Sequence, residues 1–203
     1  MKRLILLSIT LLGITGFISC NTKKTSPEPI TSDTLTTKRA GIPADSVLNT
    51  SFSANDERFL QFEMIVDQSL SATWKLFSTE DGMKRWAAPV VKVHLAVGGT
   101  IQTHYDNTAN IGDAGTISLG IINYIPNEMI TYKVELNEVF PKACREQDQN
   151  LQEIIRLEPV GETQTRIMAT MIGWGSGKEW DQTYSFFEKG NQWSYEQLLR
   201  KSK

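Results

Sequence analysis

The two histidines of this chain, His94 and His104, stand on either side of the pair Gly98-Gly99. Imidazole does acid-base chemistry near neutral pH and is a common metal ligand, so their relative placement comes first. Pairing Val97 with Ile101 across a loop of Gly98, Gly99 and Thr100 puts His94 opposite His104 on one face of a hairpin. That face lies away from Val91, Val93, Leu95, Ile101 and Tyr105, and the alternation therefore turns both rings to solvent. Zinc would need a third ligand, for which Asp106 and Glu135 are the sources. The favoured reading is a solvated pair with no metal.

Cys144 is the other reactive candidate, with Lys142 and Arg145 beside it to favour a thiolate. Nucleophile, intermolecular disulfide and partly covered loop thiol are its three readings, the last favoured because no histidine is near it in sequence. GWGSG at residues 173–177 lacks the continuation of a phosphate loop and reads as a bend into a helix. The chain contains no GxSxG, HExxH or CxxC motif. No catalytic residue is assigned, and no cofactor is required.

What remains is an aromatic set with a few polar members. Trp86, Tyr105, Trp174, Trp180, Tyr184 and Phe187 are expected to face the space between a sheet and the last helix, joined by Thr183 and Asn191. Such residues either fill a core or line an apolar pocket with a few placed polar groups. Gly190, Thr183, Asn191 and Ser194 interrupt a stripe that a packed core would make aliphatic, which favours a ligand site.

The elements that must position these residues follow from periodicity. Leu60, Phe62, Met64 and Val66 alternate as a first strand. Leu70, Thr73, Trp74 and Phe77 fall on one helical stripe, and Ser78 with Asp81 is expected to cap a second short helix bearing Met83 and Trp86. Strands follow at 91–97, 101–105, 116–125 and 130–136, then a long loop at 137–149. Two more strands lie near 151–158 and 164–174, and a helix runs from about 178 to 202. The expected class is α+β, with about seven antiparallel strands curved around a long C-terminal helix and two short helices after the first strand.

The stretch from Val66 to Trp86 resembles, without a gap, the pattern VxAPxxxVWxxLTxPxxLxxW of the START-like (SRPBCC) superfamily, in the branch similar to the activator of the heat-shock chaperone ATPase. Trp74 and Trp86 match it, with Lys84 and Arg85 before the second tryptophan as in the family, while Ser69 stands for the usual proline and Thr73 for the usual valine. The resemblance continues through Gly98-Gly99, Tyr124-Ile125-Pro126 and the segment from Trp180 to Phe187, and it implies a helix-grip fold. Members of the superfamily bind or transform unlike molecules, so the fold does not set the chemistry.

The N-terminus, MKRLILLSITLLGITGFISC, has two cations ahead of an apolar run too short to span a bilayer comfortably, followed by Cys20. It resembles a bacterial lipoprotein leader, giving a signal peptide at 1–19 and a lipidated Cys20. A flexible tether follows to residue 50, rich in Thr, Ser, Lys and Pro, and then a START-like domain at 51–203. Without the leader the chain has 19 basic against 23 acidic residues, which argues against a nucleic-acid partner. The expected function is an exported, membrane-anchored domain, facing the periplasm or the cell surface, that holds a hydrophobic or amphipathic small molecule. An enzyme of the same fold and a chaperone-activator-like interaction module are the alternatives.

Overall fold

The computed structural model describes residues 41–42, 45–54 and 57–202. The leader, Cys20 and most of the tether lie outside them. Eight strands form one open antiparallel sheet in the order β1-β2-β8-β7-β6-β5-β4-β3. They are β1 (Leu48–Ala54), β2 (Glu57–Val66), β3 (Val90–Val93), β4 (Thr100–His104), β5 (Ile117–Ile125), β6 (Met129–Val134), β7 (Gln152–Pro159) and β8 (Thr165–Ile172). Helices α1 (Leu70–Ser78) and α2 (Glu80–Lys84) follow β2, α3 (Lys142–Gln147) lies between β6 and β7, and α4 (Lys178–Lys201) ends the chain. Among the described residues no helix is long and apolar enough to cross a membrane.

The eighth strand is β1, which begins at Leu48 inside the stretch read as tether and pairs with β2 from Leu48↔Glu63 to Ala54↔Glu57. Its side chains are almost all exposed, so no alternating apolar pattern marks it; the pairing and the Phe52–Phe59 ring stack hold it.

The inner face of the sheet is built in ranks set by register. One rank runs Phe62, Ala169, Ile155, Ile130, and the next runs Leu60, Met171, Glu153, Tyr132, Ile121. Most of these residues are fully buried, and a register shift between Ile121 and Asn123 bends β5. The α1 stripe packs as its periodicity predicts, with Thr73, Trp74, Leu76 and Phe77 buried. Ser69, in the place of the family's proline, caps α1 by accepting a bond from the Ala72 N–H.

The cap of α2 differs from the sequence expectation. Thr79, not Ser78, accepts from the Gly82 N–H, while the Ser78 hydroxyl donates back to the Trp74 carbonyl within α1. Glycine is required at 82 because a Cβ there would lie 1.8 Å from the Lys75 carbonyl oxygen. The loop at 137–149 holds α3, whose six residues are too short and polar to show a helical period.

The histidine hairpin also has a different register. Val93 pairs with Ile101 and Val90 with His104, so β3 ends at Val93 and His94 leaves the ladder opposite Thr100. The reason is Gly98-Gly99: the Gly99 N–H closes a turn on the Ala96 carbonyl, and the Gly98 N–H and Gly99 carbonyl bond to Ile121 of β5. The two imidazoles therefore do not face each other. Both remain off the inner face: His94 is exposed, and His104 is bonded to the Ala114 carbonyl and the Asp106 N–H. No cluster of metal-ligating side chains occurs among the described residues.

Candidate functional site

The helix α4 lies across the inner face of the sheet, and its two halves meet different surroundings. In the first half Trp180 is buried, its indole N–H donating to Gln147 of α3. Thr183, 1% exposed, donates its hydroxyl to the Glu179 carbonyl and is the hydrogen-bond partner of the Cys144 thiol at 3.4 Å. Cys144 is 0% exposed, so it is neither a loop thiol nor a reachable nucleophile. The Tyr184 hydroxyl donates to the Phe59 carbonyl and accepts from the Ser51 hydroxyl beneath the Arg58 guanidinium, and Trp174 packs its ring on Tyr184 and Phe187. GWGSG forms the bend into α4, and Gly175 is indispensable there because a Cβ would sit 2.2 Å from the Trp180 ring.

The second half faces a cavity of about 600 Å³. One wall comes from Phe187, Gly190, Asn191, Ser194 and Tyr195 of α4, and the other from Trp86 and Ala87 after α2 with Leu119 and Val134 of the sheet. Its mouth carries Tyr105, Val139, Phe186 and Trp193, all more than half exposed.

Four of the eight residues expected at a ligand site thus line the cavity: Trp86, Tyr105, Phe187 and Asn191. Trp174, Trp180, Thr183 and Tyr184 do not. They fill the space between α4 and α3, the GWGSG bend and the β1–β2 hairpin, and neither the short α3 nor β1 is marked by periodicity in the sequence.

Three cavity residues form a polar cluster that the sequence reading did not contain. Tyr195 donates to Glu153 Oε1 at 2.6 Å, and Asn191 Nδ2 donates to the same oxygen at 3.2 Å. Glu153 Oε2 takes neither bond. Burial pushes the Glu153 carboxyl above its ordinary range, partly offset by the Tyr195 hydroxyl. Burial, and then the Glu153 charge, hold the Tyr195 and Tyr132 phenols well above theirs, so both are neutral donors at physiological pH. Tyr132 gives its hydroxyl to the Phe77 carbonyl, on the rank beside Glu153.

Period-two alternation would have found the acid. Glu153, Ile155 and Leu157 share one face of β7, and the latter two are buried. Tyr195 stands four residues after Asn191, on the stripe already recognised. Chemically the cluster can orient a polar group of a ligand or exchange a proton with it, in a chamber walled mostly by aromatic and aliphatic carbon.

A curved antiparallel sheet closed by a long C-terminal helix, with a cavity between them, defines a helix-grip protein of the START-like class. Residues 67–200 match the family described as Activator of Hsp90 ATPase homolog 1-like protein, and the chain belongs to it. Solved structures of the same fold include CalU16 from Micromonospora echinospora, 14% identical, with 77% of this chain and 85% of that one covered at a TM-score of 0.55. Protein MLL2253 from Mesorhizobium loti is 16% identical over 71% of this chain and 96% of its own, at 0.54. Aha1 from Colwellia psychrerythraea, solved in solution as a dimer, is 18% identical over 70% and 95%, at 0.51. No curated protein matches the chain.

Proposed function

We propose that this protein is an exported, lipid-anchored binding protein that holds a hydrophobic or amphipathic small molecule between its sheet and the second half of α4. The observation that carries the reading is the cavity of about 600 Å³, which is in the size range of small-molecule sites and has carbon walls with one polar cluster. The anchor is Cys20, supported by its place after a cationic, apolar leader; it would attach the domain to a membrane facing the periplasm or cell exterior.

The test of binding is a titration with the neutral fluorophore N-phenyl-1-naphthylamine. Wild type is expected to enhance its emission saturably, and Gly190→Leu, which projects into the cavity, to abolish the enhancement while remaining folded. No saturable enhancement would end the reading. For the anchor, Cys20→Ala is expected to leave the membrane pellet on cell fractionation; retention there would refute lipidation.

An enzyme of the same fold is the second reading, supported by the inward pair Glu153–Tyr195. The family description and the Aha1 neighbour support a third, an activator-like contact with a chaperone, which export would separate from cytosolic ATP-driven partners.

A further inference from the structure

The cavity has an asymmetric charge inventory. Among the described residues that line it there are two carboxylates, Glu153 inside and Glu135 at the edge, and no Lys, Arg or His. Lys133, which follows Tyr132 on β6 but lies on the outer face, pairs with Asp148. Glu153, which lines the cavity, already accepts two hydrogen bonds on Oε1, and neither goes to Oε2. Around it stand aromatic faces: Trp86 stacks on Tyr195 at 6.0 Å, and Phe140 stacks on Phe187 at 5.2 Å.

Aromatic faces carry negative electrostatic potential and attract ammonium groups, most strongly where water is scarce. A carboxylate oxygen with a free lone pair accepts a short charge-assisted bond from an N–H donor. The cost of burying Glu153 is already incurred in the folded chain, so a ligand cation adds attraction against only its own desolvation. A ligand carboxylate would meet Glu153 with no counter-charge at all, which is among the least favourable arrangements in a protein interior.

Resting on the cavity reading above, we infer that the site is selective for cationic amphiphiles, with a protonated amine head on Glu153 Oε2 and an apolar body against the aromatic walls, and that it rejects fatty acids. Glu153 is the specificity residue, while Tyr195 and Asn191 position it by fixing Oε1.

Decylammonium, decanol and decanoate, matched in chain length, should each be titrated at low salt into protein loaded with N-phenyl-1-naphthylamine. Decylammonium is expected to displace the fluorophore at roughly tenfold or more lower concentration than decanoate, with decanol between them. In Glu153→Gln the spread between amine and acid should shrink to a few-fold or less. Decanoate binding as well as decylammonium in wild type would overturn the inference without any variant having to fold. An amine preference that survives in Glu153→Gln would overturn the role of Glu153. If decanol and the fluorophore bind while the amine shows no advantage, the cavity reading stands and the selectivity falls; if none of the four binds, both fall.

Discussion

The two halves of α4 carry similar residues and do different work. Each presents large aromatics interrupted by small or polar side chains: Trp180, Thr183 and Tyr184 in the first, Phe187, Gly190, Asn191 and Tyr195 in the second. In the first half each polar side chain named has its own separate partner, and α3 closes over the ring of Trp180. In the second half the partners of Asn191 and Tyr195 converge on one acid, and nothing stands opposite Gly190 within 4 Å of where its Cβ would be. Polar residues on an apolar stripe therefore do not announce a cavity; what announces it is the absence of an element to cover them.

The sharpest way to break this comparison is to truncate an aromatic in the packed half. Trp180→Ala removes a fully buried ring and is expected to cost about 3–5 kcal/mol in chemical denaturation. Any protein that remains folded should bind the neutral fluorophore as wild type does, since Trp180 does not line the cavity. Weakened binding in the folded fraction would mean that the two halves are coupled.

A smaller effect separates two substitutions to leucine. Thr183→Leu forces extra volume into a site that is 1% exposed and removes the hydrogen-bond partner of the Cys144 thiol, so a loss of about 1–3 kcal/mol is expected with fluorophore binding intact. Asn191→Leu enters the open chamber and is expected to do the reverse, reducing fluorophore affinity with little change in the unfolding midpoint. Equal behaviour of the two in both measurements would erase the distinction between the halves.

The sheet was legible because alternation survives wherever one face is buried, as in Leu60, Phe62, Met64 and Val66. It failed at β1, whose residues are exposed on both faces, and at the histidine hairpin, where Gly98-Gly99 bonds to a third strand that no local pattern reveals. Half of the candidate site was legible for a similar reason. Helical period told which face of α4 turns inward but not where along its length the opposing wall is missing, since that depends on the six-residue α3. Glu153 was readable from its alternation with Ile155 and Leu157, yet an acid within an apolar strand looks like a solvent-facing residue until register puts it between Met171 and Tyr132.

The pH dependence of stability sharpens the cavity half alone. A carboxyl whose folded pKa stands above its unfolded value binds its proton more tightly in the folded chain. Its contribution is fully present below the ordinary value of about 4.5 and is lost as pH rises through the folded value. Tyr132 and Tyr195 stay neutral throughout, because both are held well above the ordinary phenol value. As pH rises from about 4.5 towards the raised folded value, wild type should therefore lose stability relative to Glu153→Gln, which has no proton to release. Parallel melting temperatures for the two proteins across that range would show that Glu153 is solvated rather than confined in the chamber.

The smallest expected effect is at Gly190, and it is the cleanest probe of empty space. Glycine in the middle of a long helix costs backbone entropy that alanine does not, and at this position a Cβ meets nothing within 4 Å. Gly190→Ala should therefore stabilise the protein by about 0.5–1 kcal/mol, measured by denaturant titration with an unchanged slope. A single methyl occupies little of a chamber of about 600 Å³, so fluorophore binding should persist in this variant and disappear only when the side chain grows to leucine. If alanine instead destabilises, the wall opposite Gly190 must close on it in solution, and the second half of α4 would be packed like the first.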